Sequence, residues 1–157
     1  KSRNVGFYDT NDNSITWRQT VYREGFDLAT NSPRHLLVGV GMDSIKRYAK
    51  EWRLFDDGRL PSSHFHSTPL QLAVERGLPA LLIWLWILWL YGSSLWRKLK
   101  TGALSDWRER GIILGSLGGM LGFSTSGLVH YNLGDGEIAM GFYLLMGLSI
   151  FLTKNES

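Results

Sequence analysis

Hydrophobic residues are distributed unevenly along this chain of 157 residues. Residues 1–77 carry many charges and only short apolar runs, whereas residues 78–153 hold three long apolar runs. About 20 consecutive apolar residues form a helix that is long enough to cross a bilayer. The pattern therefore predicts an all-α fragment of a polytopic membrane protein. It divides the chain into a polar, partly helical segment at 1–77 and a membrane region at 78–153.

The three apolar runs predict membrane-crossing helices at 78–96, 111–131 and 138–152. The connection at 97–110 is rich in Lys and Arg, and short basic loops remain in the cytoplasm. We therefore expect residues 1–77 on the outer side of the membrane and the C-terminus in the cytoplasm. The second run also repeats glycine at four-residue spacing, which predicts close packing against other helices (Gly111, Gly115, Gly119, Gly118 and Gly122).

The polar segment has its own periodic pattern. A helix is predicted from Ser14, and Asn31-Ser32-Pro33 ends it. The run Leu36–Gly41 predicts a tight turn at the membrane surface. Asp43 is then expected to cap a helix at Ser44–Phe55, which has one apolar face and one basic face. Such a helix either lies on an anionic membrane interface or packs on another part of the protein, and the pattern leaves both possibilities open.

The first long apolar run is preceded by a helix-start signal. Thr68 and Gln71 have capping-box spacing, and Pro69 is predicted at the first helical position. His66 then lies just outside the helix, beside free main-chain N–H groups and the positive end of the helix dipole. This arrangement predicts a place where an anion can bind next to an imidazole.

Composition limits the possible partners and the compartment. The net charge of +3 is modest and partly explained by membrane topology, so we expect membrane lipids rather than nucleic acid as partners. The absence of cysteine excludes disulfides. The chain begins with Lys1 and shows no signal peptide, so we expect it to be the C-terminal part of a longer protein.

Several short motifs, in a fixed order over residues 14–90, resemble the C-terminal half of the O-antigen ligase and polymerase family. They are Arg18-x-x-x-Tyr22-Arg23-x-Gly25-Phe26, then Pro33 and Gly39-Val40-Gly41, and finally His66-x-x-x-Leu70-Gln71-x-x-x-Glu75-Arg76-Gly77-Leu78. This sequence departs from the family pattern at two positions. Tyr22 stands where Trp is usual, and Ser67 stands where Asn usually follows the histidine.

The resemblance implies a glycosyltransferase of the bacterial inner membrane, acting on its periplasmic side without metal or cofactor. The donor would be a glycan on polyprenyl diphosphate, and transfer would invert the anomeric centre. The acceptor would be lipid A–core, another repeat unit (a polymerase) or a protein hydroxyl (an O-oligosaccharyltransferase). By resemblance, His66 is the base and Arg18 binds the diphosphate. Possible further substrate contacts are Arg47, Arg53, Arg59, His64 and His130.

Elementary chemistry is consistent with these two roles. A guanidinium binds phosphate oxygens in a bidentate manner, which an ammonium cannot do. A helix N-terminus disfavours imidazolium, so His66 is expected to stay neutral and able to accept a proton. The pair His64-x-His66, together with Asp56 and Asp57, offers only a weak metal-site pattern.

A protein of another class, a fragment of a non-catalytic transporter or flippase, is the main alternative. Such a protein would place polar residues along a route through its spans, and these spans contain almost none. Three spans are too few to enclose a polyprenyl donor, so we expect residues 1–157 alone to be inactive.

Overall fold

The computed structural model describes residues 10–58, 63–101 and 106–154, and every regular element within these ranges is helical. The predicted all-α class is therefore confirmed for the described part of the chain. The helices are α1 (Thr10–Thr30), α2 (Pro33–Val38), α3 (Ser44–Tyr48), α4 (Leu54–Gly58), α5 (Thr68–Thr101), α6 (Trp107–Gly127) and α7 (Gly136–Lys154), with a short 3-10 turn at Asn132–Gly134.

Helix α2 replaces the first part of the predicted turn. The expectation of a turn over Leu36–Gly41 is wrong up to Val38, because Ser32 and Pro33 start a helix. The Ser32 hydroxyl accepts the N–H of His35 at 3.2 Å, and proline occupies the first helical turn. Helix α1 also begins earlier than Ser14, at Thr10.

The turn that follows α2 packs directly on the main chain of α5. The N–H of Val40 donates to the carbonyl of Val74 at 2.8 Å, and that of Gly41 donates to Glu75 at 3.0 Å. A Cβ on Gly39 would lie 2.4 Å from the Glu75 carbonyl group. Gly77 has a φ of 82° and interrupts α5 at this contact. The two backbones can approach this closely because Gly39 and Gly77 each lack the Cβ that would meet the other backbone.

The predicted helix Ser44–Phe55 is wrong in its second half. Helix α3 ends at Tyr48, and Asp43 has a φ of 57° and makes no side-chain capping hydrogen bond. The short element α4 is a left-handed turn, and the Glu24 carboxylate of α1 accepts the N–H groups of Phe55 and Asp56. This acceptor stabilises a backbone conformation that residues with side chains rarely adopt.

The apolar side chains of this region pack on α1 rather than facing a membrane. Phe55 and Ile45 are buried with Val21, Phe65 and Val74 in one hydrophobic core. The structure thus favours packing on the protein over the interfacial alternative for this apolar face. The basic face is exposed (Lys46, Arg47, Lys50 and Arg53).

Among the described residues, α5 is the one helix that is both long and apolar enough to cross a membrane. Only 22% of its most apolar window is buried, so most of that surface faces outward. It contains the first predicted span and continues to Thr101, while α6 starts at Trp107. The predicted loop 97–110 is therefore too long, because both of its basic clusters lie on helical turns.

Helices α6 and α7 coincide with the second and third apolar runs, but their bounds differ from the prediction. Helix α6 ends at Gly127, so the span predicted to reach Tyr131 is too long; α7 is a shorter apolar helix. Whether α6 and α7 cross the membrane stays a prediction. Phe123 of α6 stacks on Phe142 of α7, with centroids 4.1 Å apart and rings 8° from parallel.

The glycine repeat of α6 contacts a neighbouring helix at one position. A Cβ on Gly119 would meet the Leu145 side chain of α7 at 2.6 Å. The other four glycines have nothing within 4 Å of an added Cβ (Gly111, Gly115, Gly118 and Gly122). Their packing against a further helix stays a prediction.

Candidate functional site

His66 lies in the turn before α5, as predicted, and its main chain is held on both sides. Its φ of 50° is in the left-handed region, which is uncommon for residues other than glycine. Its N–H donates to Nδ1 of His64 at 3.2 Å. The Tyr22 hydroxyl lies 3.2 Å from its carbonyl oxygen. These contacts fix the strained turn that carries the imidazole.

The start of α5 differs from the predicted capping box. Ser67, not Thr68, caps the helix: the N–H of Gln71 donates to the Ser67 carbonyl at 2.9 Å, and that of Leu70 lies 3.4 Å from its hydroxyl. Pro69 therefore occupies the second helical position. The Gln71 side chain accepts the N–H of Phe65 at 3.0 Å, so it secures the turn from the other side.

Thr68 has a different role from the predicted cap. Its hydroxyl donates to the His130 carbonyl at 3.0 Å and accepts the N–H of Asn132 at 2.9 Å. Asn132 is itself buried, and its amide donates to the Phe123 carbonyl at 2.8 Å. One buried hydroxyl thus fixes the segment after α6 against the first turn of α5, and brings His130 towards His66.

The imidazole of His66 lies beside two other rings and within electrostatic range of Arg18. The Trp17 ring meets it edge-on with centroids 4.7 Å apart, and the His64 ring lies at 4.1 Å. Burial, followed by the neighbouring His64, His130 and Arg18, lowers the pKa of His66 from 6.5 to about 4. A pKa of about 4 is consistent with the expected neutral imidazole. Its cause is burial and neighbouring positive charge, in place of the helix dipole on which the expectation relied.

His64 is also neutral, and one of its ring nitrogens is already engaged. Burial, followed by the charge of His130, lowers its pKa. Because Nδ1 accepts the N–H of His66, the proton of the neutral ring is on Nε2. His64 can therefore donate a hydrogen bond at Nε2. The ring of Tyr131 lies 5.9 Å from it, centroid to centroid.

A polar cavity of about 820 Å³ adjoins this histidine pair. Its floor holds Gln71 and Glu75, which are 2% and 6% exposed. Glu75 accepts hydrogen bonds from the Gln71 side chain and from the main chain of Asp43. The wall includes His64, His130, Tyr131 and carboxylates from α7 and the turn before it.

The structure brings together four of the predicted site residues and separates the others. His64, His130 and Arg18 are each close enough to His66 to affect it electrostatically. Two other candidates lie elsewhere: Arg47 is exposed on α3, and Arg53 lines a different cavity of about 290 Å³ with Glu24 and Asp27. The last candidate, Arg59, lies outside the described residues. Within the described ranges, no group of three or more His, Cys, Asp or Glu is placed to hold a metal ion.

Four residues of the site carried no functional prediction from the sequence. Trp17 contacts the His66 ring, Tyr22 contacts its carbonyl, and Thr68 and Tyr131 organise the other side. The i, i+4 spacing of Arg18 and Tyr22 placed both on one helix face, which was the available signal for Tyr22. The contact of Thr68 with a segment more than 60 residues later has no local signature.

Comparison with known proteins gives one clear finding. Neither the curated proteins nor the solved structures include a match to this chain. A family model described as O-antigen ligase matches residues 1–85, and this range contains Arg18, His64 and His66. Since the match covers more than half of the 157 residues, the chain belongs to the O-antigen ligase family, whose members are integral membrane proteins of bacteria.

Proposed function

We propose that this chain supplies the base and a diphosphate-binding group of a membrane glycosyltransferase. The donor is a glycan on polyprenyl diphosphate and the acceptor is a hydroxyl of lipid A–core. Transfer inverts the anomeric centre and uses no metal. Family membership supports glycan transfer in a membrane. Donor, acceptor and residue roles are the proposal.

His66 acts as the base in this scheme. Its imidazole nitrogen takes the proton of the acceptor hydroxyl, and the acceptor oxygen forms a bond to the anomeric carbon. The bond from that carbon to the phosphate oxygen breaks on the opposite face, and the electron pair leaves with the diphosphate. A base must be unprotonated before it can act, and a pKa of about 4 keeps His66 in that state at neutral pH.

Arg18 stabilises the departing diphosphate. It lies on α1 directly after Trp17, whose ring contacts the His66 imidazole. Its charge is felt by His66 and by Tyr22. A guanidinium beside the base attracts the diphosphate and binds two of its oxygens as negative charge develops. The single observation that carries the proposal is the contact of the Trp17 ring, next to Arg18 on α1, with the His66 imidazole on a separate segment.

The proposed orientation places residues 1–77 in the periplasm and the C-terminus in the cytoplasm. Helix α5 would cross the inner membrane, with α6 and α7 as the second and third spans. The basic ends of α5 and α6 would then face the cytoplasm, as short basic connections do. Membrane lipids would contact the outward apolar side chains of α5.

The test follows glycan transfer in membrane vesicles from cells that make the whole protein containing this chain. His66→Ala is expected to lower kcat about 10²- to 10⁴-fold, because it removes the base. Arg18→Ala is expected to lower it about 10²-fold, with Arg18→Lys in between, because an ammonium keeps the charge but not the bidentate contact.

Matched controls are available on neighbouring elements. His35→Ala removes an imidazole from α2, and Arg23→Ala removes an exposed guanidinium from α1 that pairs with Asp27 at 3.9 Å. Both controls are expected to keep transfer within about twofold of wild type. Unchanged transfer in His66→Ala and Arg18→Ala, with normal protein levels, would remove the catalytic assignment.

A further inference from the structure

The cavity beside His64 has the size of a small-molecule site. Its volume of about 820 Å³ lies within the roughly 300–1,000 Å³ that is usual for such sites. It adjoins His66, because the His64 ring in its wall lies 4.1 Å from the His66 ring. Of the two histidines only His64 lines the cavity, so a hydroxyl bound there lies on the His64 side of the proposed base.

The buried groups of the cavity suit a sugar. Glu75 and Gln71 present carboxylate and amide atoms from a fixed position, because each is tied to the main chain of another segment. Such groups bind hydroxyls as acceptors or donors. Tyr131 adds an aromatic ring, and its hydroxyl receives a hydrogen bond from Arg76. Fixed polar groups and one aromatic ring in a concave site provide orientation as well as apolar contact.

The charge of the wall decides which sugars fit. Four carboxylates line the cavity (Asp43, Glu75, Asp135 and Glu137), against the Lys46 ammonium in the wall and the Arg76 guanidinium that donates to Tyr131. This excess of negative charge would repel a bound carboxylate or phosphate at short range. It would not repel a neutral hydroxyl, and it would attract a protonated amine. The diphosphate therefore belongs on the Arg18 side of the histidines, and the cavity is left for the other substrate.

We infer that this cavity binds the terminal sugar of the acceptor, and that it selects an uncharged or amine-bearing sugar over an anionic one. The inference rests on the proposed function, since His66 must act as base for the cavity to present an acceptor hydroxyl. It adds the chemical class of the acceptor, which family membership does not supply.

The test compares two acceptors that differ only in one carboxylate, a terminal glucose and a terminal glucuronate. Wild-type protein, assayed whole in vesicles, should use the glucose acceptor at least about tenfold better by kcat/KM. Asp43→Asn combined with Glu137→Gln should reduce this preference by about tenfold through faster use of the glucuronate acceptor. KM for the donor should not change.

Glu51→Gln combined with Asp57→Asn is the matched control, because it removes the same charge from exposed positions outside the cavity wall. Its preference should equal that of wild type. Equal use of both acceptors by wild type, or the same change in the control as in the cavity variant, would overturn the inference. If His66→Ala abolishes transfer while the preference is absent, only this inference fails. If His66→Ala leaves transfer intact, the proposed function itself fails.

A binding measurement gives a readout without turnover. Methyl glucoside should shift the imidazole NMR signals of His64 and His130 but not that of His35, and methyl glucuronide should shift them less at equal concentration. Both ligands acting alike, or neither acting, would contradict the assignment of the cavity.

Discussion

The phenol oxygen of Tyr22 lies 3.2 Å from the carbonyl oxygen of His66 and joins α1 to the turn that holds the proposed base. The same oxygen lies 2.9 Å from the carbonyl oxygen of Leu128, just after α6. One O–H proton serves both acceptors. Burial raises the pKa of Tyr22, so the phenol remains a donor at neutral pH. Three distant segments therefore meet at one hydroxyl.

Tyr22→Phe should loosen this junction. The change removes the hydroxyl and keeps the ring, so two carbonyls lose a donor at a cost of about 1 kcal/mol of stability. We expect a lower Tm in detergent and a threefold to tenfold lower kcat, because the His66 turn is less well fixed. Tyr143→Phe removes the hydroxyl of an exposed tyrosine and should alter neither quantity. Equal behaviour of the two variants would argue against a positioning role for Tyr22.

The low pKa of His66 predicts a specific pH dependence. Free protein should take up the proton of His66 only near pH 4, so kcat/KM for the donor should stay level from neutral pH down to about 5. A bound diphosphate places negative charge beside the imidazole and raises its pKa. The acid limb of kcat should therefore lie at higher pH than that of kcat/KM. Coincident limbs near pH 6.5 would contradict the burial of this imidazole.

The same pKa affects stability with a defined sign. The unfolded chain binds a proton at His66 near pH 6.5, whereas the folded chain binds it only near 4. Between these values the unfolded state holds more protons, so the free energy of unfolding decreases as the pH falls from 6.5 towards 4. Above pH 6.5 the full contribution of the neutral His66 to stability is present. Thermal unfolding measured across this range, with His66→Gln as the reference, isolates the contribution.

The sequence allowed the helical class and the position of His66 to be predicted because both depend on local signals. A 3.6-residue period and a helix-start signal near Pro69 act over a few residues, although the predicted cap at Thr68 was one residue late. Element ends were less predictable. The left-handed turn at Leu54–Gly58 depends on Glu24, 31 residues before Phe55, whose carboxylate accepts N–H groups of the turn. No local pattern in residues 44–58 contains that information.

The site was predictable only in part for the same reason. His66 and Arg18 were found through motif order, and the electrostatic coupling between them is consistent with that assignment. The cavity depends on contacts between residues far apart in the chain, such as Thr68 with Asn132 and Gly41 with Glu75. Hydrogen bonds of this kind appear only when the helices have packed.

The topology can be checked cleanly because the chain has no cysteine. Ser63→Cys places one thiol at an exposed position before α5, and Thr101→Cys places one at the exposed far end. In intact cells, a membrane-impermeant maleimide should label Ser63→Cys and leave Thr101→Cys unlabelled until the inner membrane is opened. The reverse pattern would put His66 in the cytoplasm and exclude a periplasmic acceptor.

Gly77 and Gly58 offer a matched pair for testing the main-chain contact between α5 and the segment formed by α2 and the Gly39–Gly41 turn. Their φ values are 82° and 81°, so alanine at either position suffers the same backbone strain of about 1 kcal/mol. At Gly58 an added Cβ meets nothing within 4 Å, whereas at Gly77 it lies 2.4 Å from the Leu37 carbonyl oxygen. A main-chain atom cannot turn aside as a side chain can, so α2 and the Gly39–Gly41 turn must separate from α5.

Gly77→Ala should therefore reduce the free energy of unfolding by about 2 kcal/mol more than Gly58→Ala does, and its Tm should be correspondingly lower. It should also lower transfer, because the Gly41 contact to Glu75 that closes the cavity floor is disturbed. Gly39→Ala should reproduce the effect from the opposite backbone, where the added Cβ would lie 2.4 Å from Glu75. Circular dichroism melts in detergent, run beside the vesicle assay, measure both effects. Equal Tm values for Gly77→Ala and Gly58→Ala would mean that strain alone, and not the meeting of two backbones, accounts for the glycine at 77.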